Sequence, residues 1–254
     1  VRIALGEVST VDDRRFSRID ASIGVVLFPD DGVSVDDLLA HADMAMYQAK
    51  RNGRGRAEHF RTELSAAMER RRSIERALVE GDIDGTFELH LQPVYSLGGT
   101  PRIVAAEALA RWTHPELGVV SPTEFIPIAE ECGRIVQLGR WALRRAAELA
   151  VVCEQAAGRP IRIAVNVSTL QFALDDVAGV ALDAAETAGC AATSLGIEIT
   201  ESLLLDDSAS VHGTLGRLRS AGIGVAIDDF GMGYSALHYL ARFPVDHLKI
   251  DRSF

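Results

Sequence analysis

Apolar positions along the chain fall into two kinds of run. Short, nearly continuous runs bounded by turn residues read as buried strands, and longer stretches with apolar residues every three or four positions read as helices. The first strand spans 19–28, Ile-Asp-Ala-Ser-Ile-Gly-Val-Val-Leu-Phe, and leaves through the turn Pro29-Asp30-Asp31-Gly32. Ser34 then caps a helix over Val35 to Asn52, with Leu38, Leu39, Ala42, Ala45, Met46 and Ala49 at helical spacing and Gly53 as its stop. From Glu58 to Glu80 the chain turns Arg- and Glu-rich, with Leu64, Met68, Ile74 and Leu78 interspersed and no Pro or Gly before Gly81, which predicts a helical connector.

From Phe87 onward strands and helices alternate. The pattern predicts strands near 87–94, 103–111, 161–167, 195–200, 223–228 and 246–250, and helices over 122–131, 137–156, 170–188 and 208–221. Repeated βα units of this kind predict parallel strands wrapped by helices. Six strands fall short of eight, so the fold class is α/β, an incomplete (β/α)8 TIM-like barrel preceded by a partial α/β unit. The expected organisation is a partial domain over 1–60, a connector over 61–82 and the barrel-type domain over 83–254.

Polar residues interrupt the strands on one face. Side chains alternate along a strand, so Ala105, Glu107, Leu109 and Arg111 share a face of the second barrel strand. By the same alternation Asn166 lies opposite Ile163 and Val165, Glu198 and Thr200 oppose Ile197 and Ile199, and Lys249 opposes Leu248 and Ile250. The run Val225-Ala226-Ile227 ends in Asp228-Asp229, followed by Phe230-Gly231-Met232-Gly233-Tyr234. One acid on a strand is ordinarily a structural hydrogen-bonding residue. Five strands carrying polar groups toward one lip indicate a shared site. Clustered acids repel unless cations accompany them, and carboxylate and amide oxygens suit Mg²⁺ or Mn²⁺ better than zinc or copper. The adjacent Asp pair would bridge two ions, and two such ions are a known way to split a phosphodiester, one activating water and both stabilising charge on the phosphoryl oxygens. Lys249 would then orient water or neutralise developing charge, and Arg111 would hold a nonbridging phosphate oxygen.

Composition narrows the classes. With 48% hydrophobic and 24% charged residues in 254, the chain is globular. The net charge of −10 argues against a nucleic-acid polymer as partner. Cys132, Cys153 and Cys190 have no CxxC spacing, which argues against a disulfide framework or a zinc site and fits a reducing cytoplasm. No apolar run is long enough to span a membrane. The chain opens on Val1 and stops at Phe254 just after a strand, so it is expected to be a piece of a longer protein whose missing part could hold a membrane anchor.

The strand motifs Gln92-Pro93, Glu107-Ala108-Leu109 with Arg111-Trp112, Phe125-Ile126-Pro127, Asn166-Val167-Ser168, Glu198-Ile199-Thr200-Glu201, Asp228-Asp229-Phe230-Gly231 and Lys249-Ile250-Asp251 occur in one order. In that order the chain resembles the EAL domain, the cyclic-di-GMP phosphodiesterase family, over about 73–254. The resemblance implies that Glu107, Asn166, Glu198, Asp228 and Asp229 are metal ligands, that Lys249 is catalytic, that Glu201 steadies the loop after Asp229, and that Gln92 and Arg111 contact substrate. It implies hydrolysis of cyclic-di-GMP to the linear dinucleotide at a two-metal Mg²⁺ or Mn²⁺ site, on a barrel that commonly forms homodimers. The alternative is a receptor that binds cyclic-di-GMP without hydrolysing it. Met232 departs from the small or hydroxylated residue frequent in the family. The resemblance implies that the last two barrel strands and their acid are to be expected beyond Phe254, so the isolated piece is expected to turn over poorly.

The upstream segment resembles the C-terminal part of a GGDEF domain through Ala21-Ser22-Ile23-Gly24-Val25, Ala42-Asp43-Met44-Ala45-Met46-Tyr47-Gln48-Ala49-Lys50 and Gly53-Arg54. That family's signature loop and metal acids are absent, so no cyclase activity is expected, and Lys50 and Arg54 read as solvated helix-end cations. Two rivals fail. Gly231-Met232-Gly233-Tyr234-Ser235-Ala236 fits a dinucleotide fingerprint, but Asp228 and Asp229 would stand where a pyrophosphate needs positive potential. Asp229-Phe230-Gly231 matches a kinase triplet without the accompanying kinase loops.

Overall fold

The computed structural model describes residues 10–11, 14–15, 21–205, 208–231, 243–251 and 253. The chain divides into two compact units, Val1–Ser73 and Ile74–Phe254. The segment 232–236, with Met232, lies outside the described residues.

In the first unit β1 (Thr10–Val11) and β2 (Arg14–Arg15) pair antiparallel, and β3 (Ile23–Val25) runs parallel to β4 (Ala57–His59). Helix α1 (Val35–Arg51) connects the latter two. Its start follows from Ser34, whose Oγ accepts a hydrogen bond from the Asp37 N–H at 3.1 Å and so satisfies one of the free donors of the first turn. Ala45 and Ala49 are fully buried. At Gly24 a Cβ would run into the Ala42 carbonyl oxygen, so glycine is what allows α1 to lie directly on β3. The strand is shorter than the 19–28 expected. Residues 19–20 are outside the described set, and beyond Val25 the Leu27 N–H turns to the Asp31 carboxylate at 2.7 Å instead of to a neighbouring strand.

The division between the units falls inside α2 (Thr62–Glu80), the helix expected of the connector. In the second unit Ile74 and Leu78 of α2 are buried, and the Arg134 Nε donates to the Leu78 carbonyl at 2.8 Å. A short helix α3 (Ile83–Thr86), capped by Asp82, leads into a seven-stranded sheet. Its strands are β5 (Phe87–Tyr95), β6 (Ile103–His114), β7 (Gly118–Val120), β8 (Arg162–Asn166), β9 (Leu195–Thr200), β10 (Gly224–Phe230) and β11 (His247–Ile250). They lie in the order β11-β10-β9-β8-β6-β5, with β7 also on β6. The five strands from β6 to β11 along this path are parallel. The path has open edges at β5 and β11, so among the described residues it is an open, mostly parallel α/β sheet and not a closed barrel.

β5 corrects the expectation of uniformly parallel strands, because it pairs antiparallel with β6 from Phe87↔Trp112 to Tyr95↔Ile103. The intervening segment 96–102, with Gly98-Gly99, is too short for the crossover that parallel strands require.

Helices α4 (Pro122–Glu131), α5 (Ile135–Ala157), α6 (Thr169–Leu174), α7 (Val177–Ala188) and α8 (Ala209–Ser220) connect the strands. Ile163, Val165, Leu195, Ile197, Ile199, Val225 and Ile227 form a core with Leu143, Ala146, Ala147, Ala178, Ala181, Leu215 and Leu218 of the helices, all at most 3% exposed. Burying each large aliphatic chain stabilises the fold by about 1.5–3 kcal/mol. The opposite face of the sheet carries the polar residues. Among the described residues no helix is long and apolar enough to cross a membrane.

The helix expected over 170–188 is two helices. Asp175 adopts an extended backbone that ends α6, and Asp176 caps α7 by accepting from the Gly179 N–H at 3.1 Å. Each Asp is gripped by a guanidinium: Arg140 of α5 donates to Asp175 at 2.8 and 2.6 Å, and Arg217 of α8 donates to Asp176 at 2.7 and 3.1 Å. Those hydrogen bonds hold both carboxyls below their ordinary range. A depressed carboxyl stabilises the fold above its unfolded pKa, and the contribution is lost as pH falls through the folded value. Replacing both with Asn is therefore expected to lower the melting midpoint at pH 7 and to flatten its decline below about pH 4, measured by thermal melts across pH.

Candidate metal centre

Register sets the site. Glu107 of β6 stands opposite Ala164, Asn166 opposite Glu198, Glu198 opposite Ala226, and Ala226 opposite His247. With side chains alternating, Glu107, Asn166, Glu198, Asp228 and Lys249 all issue from the face away from the aliphatic core. Carboxylate oxygens of Glu107, Glu198 and Asp228 lie within 4.8 Å of one another. Lys249 Nζ sits among them, 2.8 Å from Glu107, 2.6 Å from Glu198 and 3.2 Å from Asp228. The Asn166 amide donates to the other Glu107 oxygen at 2.7 Å. A cleft of about 550 Å³, lined in part by Arg162, Ala164, Glu198, Ala226, His247 and Lys249, runs along this face.

Burial decides the electrostatics. Glu198 is 5% exposed, and desolvation pushes its carboxyl up to about 7 against the pull of Lys249, with Glu107 and Asp228 adding to the rise. Burial works against the Lys249 ammonium as well, but hydrogen bonds to Glu107 and Glu198 outweigh it and hold its pKa above the ordinary lysine value. An all-oxygen donor set at this spacing fits a hard divalent ion, whose charge would offset the mutual repulsion of the acids.

Asp229 stands outside the group of three. The pairing of β10 with β11 slips between Ile227 and Phe230, and Asp229 takes a left-handed φ of 52° there. This bulge interrupts the alternation that would otherwise turn Asp229 to the opposite face from Asp228. Burial, then Asp228 and Asp251, raises the Asp229 carboxyl, and Lys249 and Glu107 also act on it. Glu201, 9% exposed at the start of a 3-10 turn over Glu201–Leu205, accepts from the Gly231 N–H at 3.1 Å and so fixes the backbone two residues past Asp229.

Gln92 is exposed on β5 and cross-strand from Glu107. Arg111 lies cross-strand from Glu88 and donates to the Ala110 carbonyl at 2.9 Å, beside a cleft it shares with Asn166. The structure therefore brings together Glu107, Asn166, Glu198, Asp228 and Lys249, and leaves Gln92, Arg111 and Asp229 around them. Asp251 was not singled out from the sequence as a site residue. It follows directly on β11, close enough to Asp229 to help raise that carboxyl.

Residues 71–254 match the EAL domain family, and residues 6–56 match the diguanylate cyclase GGDEF domain family. An uncharacterized signaling protein of Caulobacter vibrioides is 41% identical over 234 residues, covering 92% of this chain and 28% of the relative. Cyclic di-GMP phosphodiesterase NbdA of Pseudomonas aeruginosa is 38% identical over 242 residues, covering 95% of this chain and 31% of the relative. The chain thus spans about three tenths of the length of these relatives. The solved PaMucR phosphodiesterase in complex with c-di-GMP superposes with a TM-score of 0.63 at 36% identity, covering 72% of each chain.

Proposed function

The chain belongs to the EAL domain family, and from that premise we propose that its acidic centre hydrolyses one phosphodiester bond of cyclic-di-GMP, releasing the linear dinucleotide in second-messenger signalling. The observation that carries this reading is the convergence of Glu107, Glu198 and Asp228 with Asn166 and Lys249 on one face of the sheet.

In this reading Glu107, Asn166, Glu198, Asp228 and Asp229 hold Mg²⁺ or Mn²⁺. When bound, such ions supply Lewis acidity at the phosphoryl oxygens and lower the pKa of a water. The protein's own residues do the rest. Lys249, kept protonated by its acidic partners, places a fixed positive charge beside the reacting phosphoryl group. Glu201 holds the Gly231 amide and with it the bulge that presents Asp229. Arg111 and Gln92, at the margin of the acids, are placed to meet the nonbridging oxygens and the nucleotide. We assign residues 1–60 to the C-terminal part of a GGDEF domain without cyclase activity, 61–82 to a connector and 83–254 to the EAL domain.

The test is a chromatographic assay of the full-length protein with cyclic-di-GMP. Turnover to the linear dinucleotide is expected with Mg²⁺ or Mn²⁺, is expected to stop on chelation, and is expected to return when either ion is restored. Turnover that persists in excess chelator would remove the metal role.

A further inference from the structure

We infer that Gln171 is a positioning residue for the acidic centre, and that Gly139 of α5 is the seat that holds it. Gln171 lies on α6 and is only 3% exposed, an uncommon place for a carboxamide unless every partner is fixed. Its Oε1 accepts from the Ser168 N–H at 3.0 Å, two residues beyond Asn166. On the other side of the same short segment, the Val167 N–H donates to the Glu198 carbonyl at 2.9 Å. The backbone that follows Asn166 is thus held from two directions, by the strand that carries Glu198 and by the Gln171 carboxamide.

The carboxamide has its place because Gly139 has no side chain. A Cβ there would overlap the Gln171 Nε2, in the second turn of a helix whose neighbouring Leu138 and Ala142 are buried. Glycine inside a helix costs about 1 kcal/mol relative to alanine, so its presence calls for a packing reason, and the carboxamide supplies one. A continuous line of contacts therefore runs from α5 through Gly139, Gln171 and Ser168 to Asn166, whose amide nitrogen meets Glu107 at 2.7 Å. Groups that orient ligands from behind typically tune metal affinity. The inference rests on Asn166 being a ligand in the proposed function.

The test is uptake of Mn²⁺ by the full chain, read from the loss of the free-ion electron paramagnetic resonance signal, with thermal melts run alongside. The wild-type chain is expected to bind Mn²⁺, and Asn166→Ala to weaken it. Gln171→Met, which keeps volume but loses the acceptor, is expected to weaken binding about tenfold. Gln171→Glu keeps an oxygen for the Ser168 amide and is expected to stay close to wild type. Gly139→Ala is expected to match Gln171→Met, and the double variant to be no worse than either, because both remove one device. Should Gly139→Ala fail to fold, Gln171→Met and the shorter Gln171→Asn carry the comparison. A Gln171→Met protein that melts earlier yet binds Mn²⁺ like wild type would show a helix cap only and overturn the inference. A wild-type chain that takes up no Mn²⁺ would overturn the metal reading of the site and this inference with it. Unweakened binding by Asn166→Ala would overturn the ligand role from which the inference starts.

Discussion

Glu107→Ala is expected to cut turnover of cyclic-di-GMP by about a thousandfold, roughly 4 kcal/mol of transition-state stabilisation, the scale seen when one preorganised charge-stabilising group is removed. Glu107 is the hub of the acidic face: one oxygen accepts from Asn166 and the other from Lys249. Its loss leaves the Asn166 amide and the Lys249 ammonium each short of a partner and takes away one of three convergent carboxylates. Steady-state kinetics of the full-length variant should show the fall in kcat, and in kcat/KM to a similar extent, since Glu107 acts by holding the Lys249 ammonium and, in the proposed function, the metal ions that stabilise the transition state. A variant with kcat within a few-fold of wild type would place the chemistry elsewhere.

Lys249→Met is expected to act on both activity and stability. Removing the ammonium takes away the positive charge that Glu107, Glu198 and Asp228 share. Breaking a buried ion pair costs about 3–5 kcal/mol, and with the lysine side chain about a third exposed a discounted loss of about 2 kcal/mol is expected. In a chain of this size that lowers the melting midpoint by about 4–8 °C when chelator is present. Divalent ions should narrow the gap by supplying the missing charge, while turnover stays at least about a hundredfold down. Because the lysine pKa is raised on folding, its stabilising contribution is complete below the ordinary lysine value and fades as pH climbs through the folded one. Equal midpoints for variant and wild type in chelator would contradict the arrangement.

Much of this architecture was legible in the chain because two periodicities are strong. The aliphatic strands β8, β9 and β10 are framed by turns, and their core sides are almost wholly apolar, so Ile163, Ile197 and Ile227 fall on the helix-covered face and Asn166, Glu198 and Asp228 on the other. Four features resisted. The hairpin joining β5 to β6 was hidden by reading every strand as one half of a βα unit, although seven residues with a Gly-Gly pair are too few for a crossover. The break at Asp175-Asp176 was masked by apolar spacing that runs through it. The two aspartates become stop and cap only with Arg140 and Arg217 arriving from helices far away in sequence.

The bulge at Asp229 resisted for a different reason. Alternation alone puts neighbouring residues on opposite faces, and a slip in strand pairing is a property of two strands together, not of either one. Gly139 and Gln171 were equally hidden, since a glycine in a helical run and a glutamine after a strand acquire meaning only when the fold presses one on the other.

In the proposed function the acidic face adds water across one phosphodiester of cyclic-di-GMP. The most direct test is phosphorus-31 NMR of the full-length protein with cyclic-di-GMP and Mg²⁺ or Mn²⁺ in ¹⁸O-labelled water. The diester resonance is expected to give way to a terminal phosphomonoester carrying one ¹⁸O, with the second diester intact. A cyclic-di-GMP diester resonance that remains unchanged while the ligand is demonstrably bound would contradict it and make the protein a receptor.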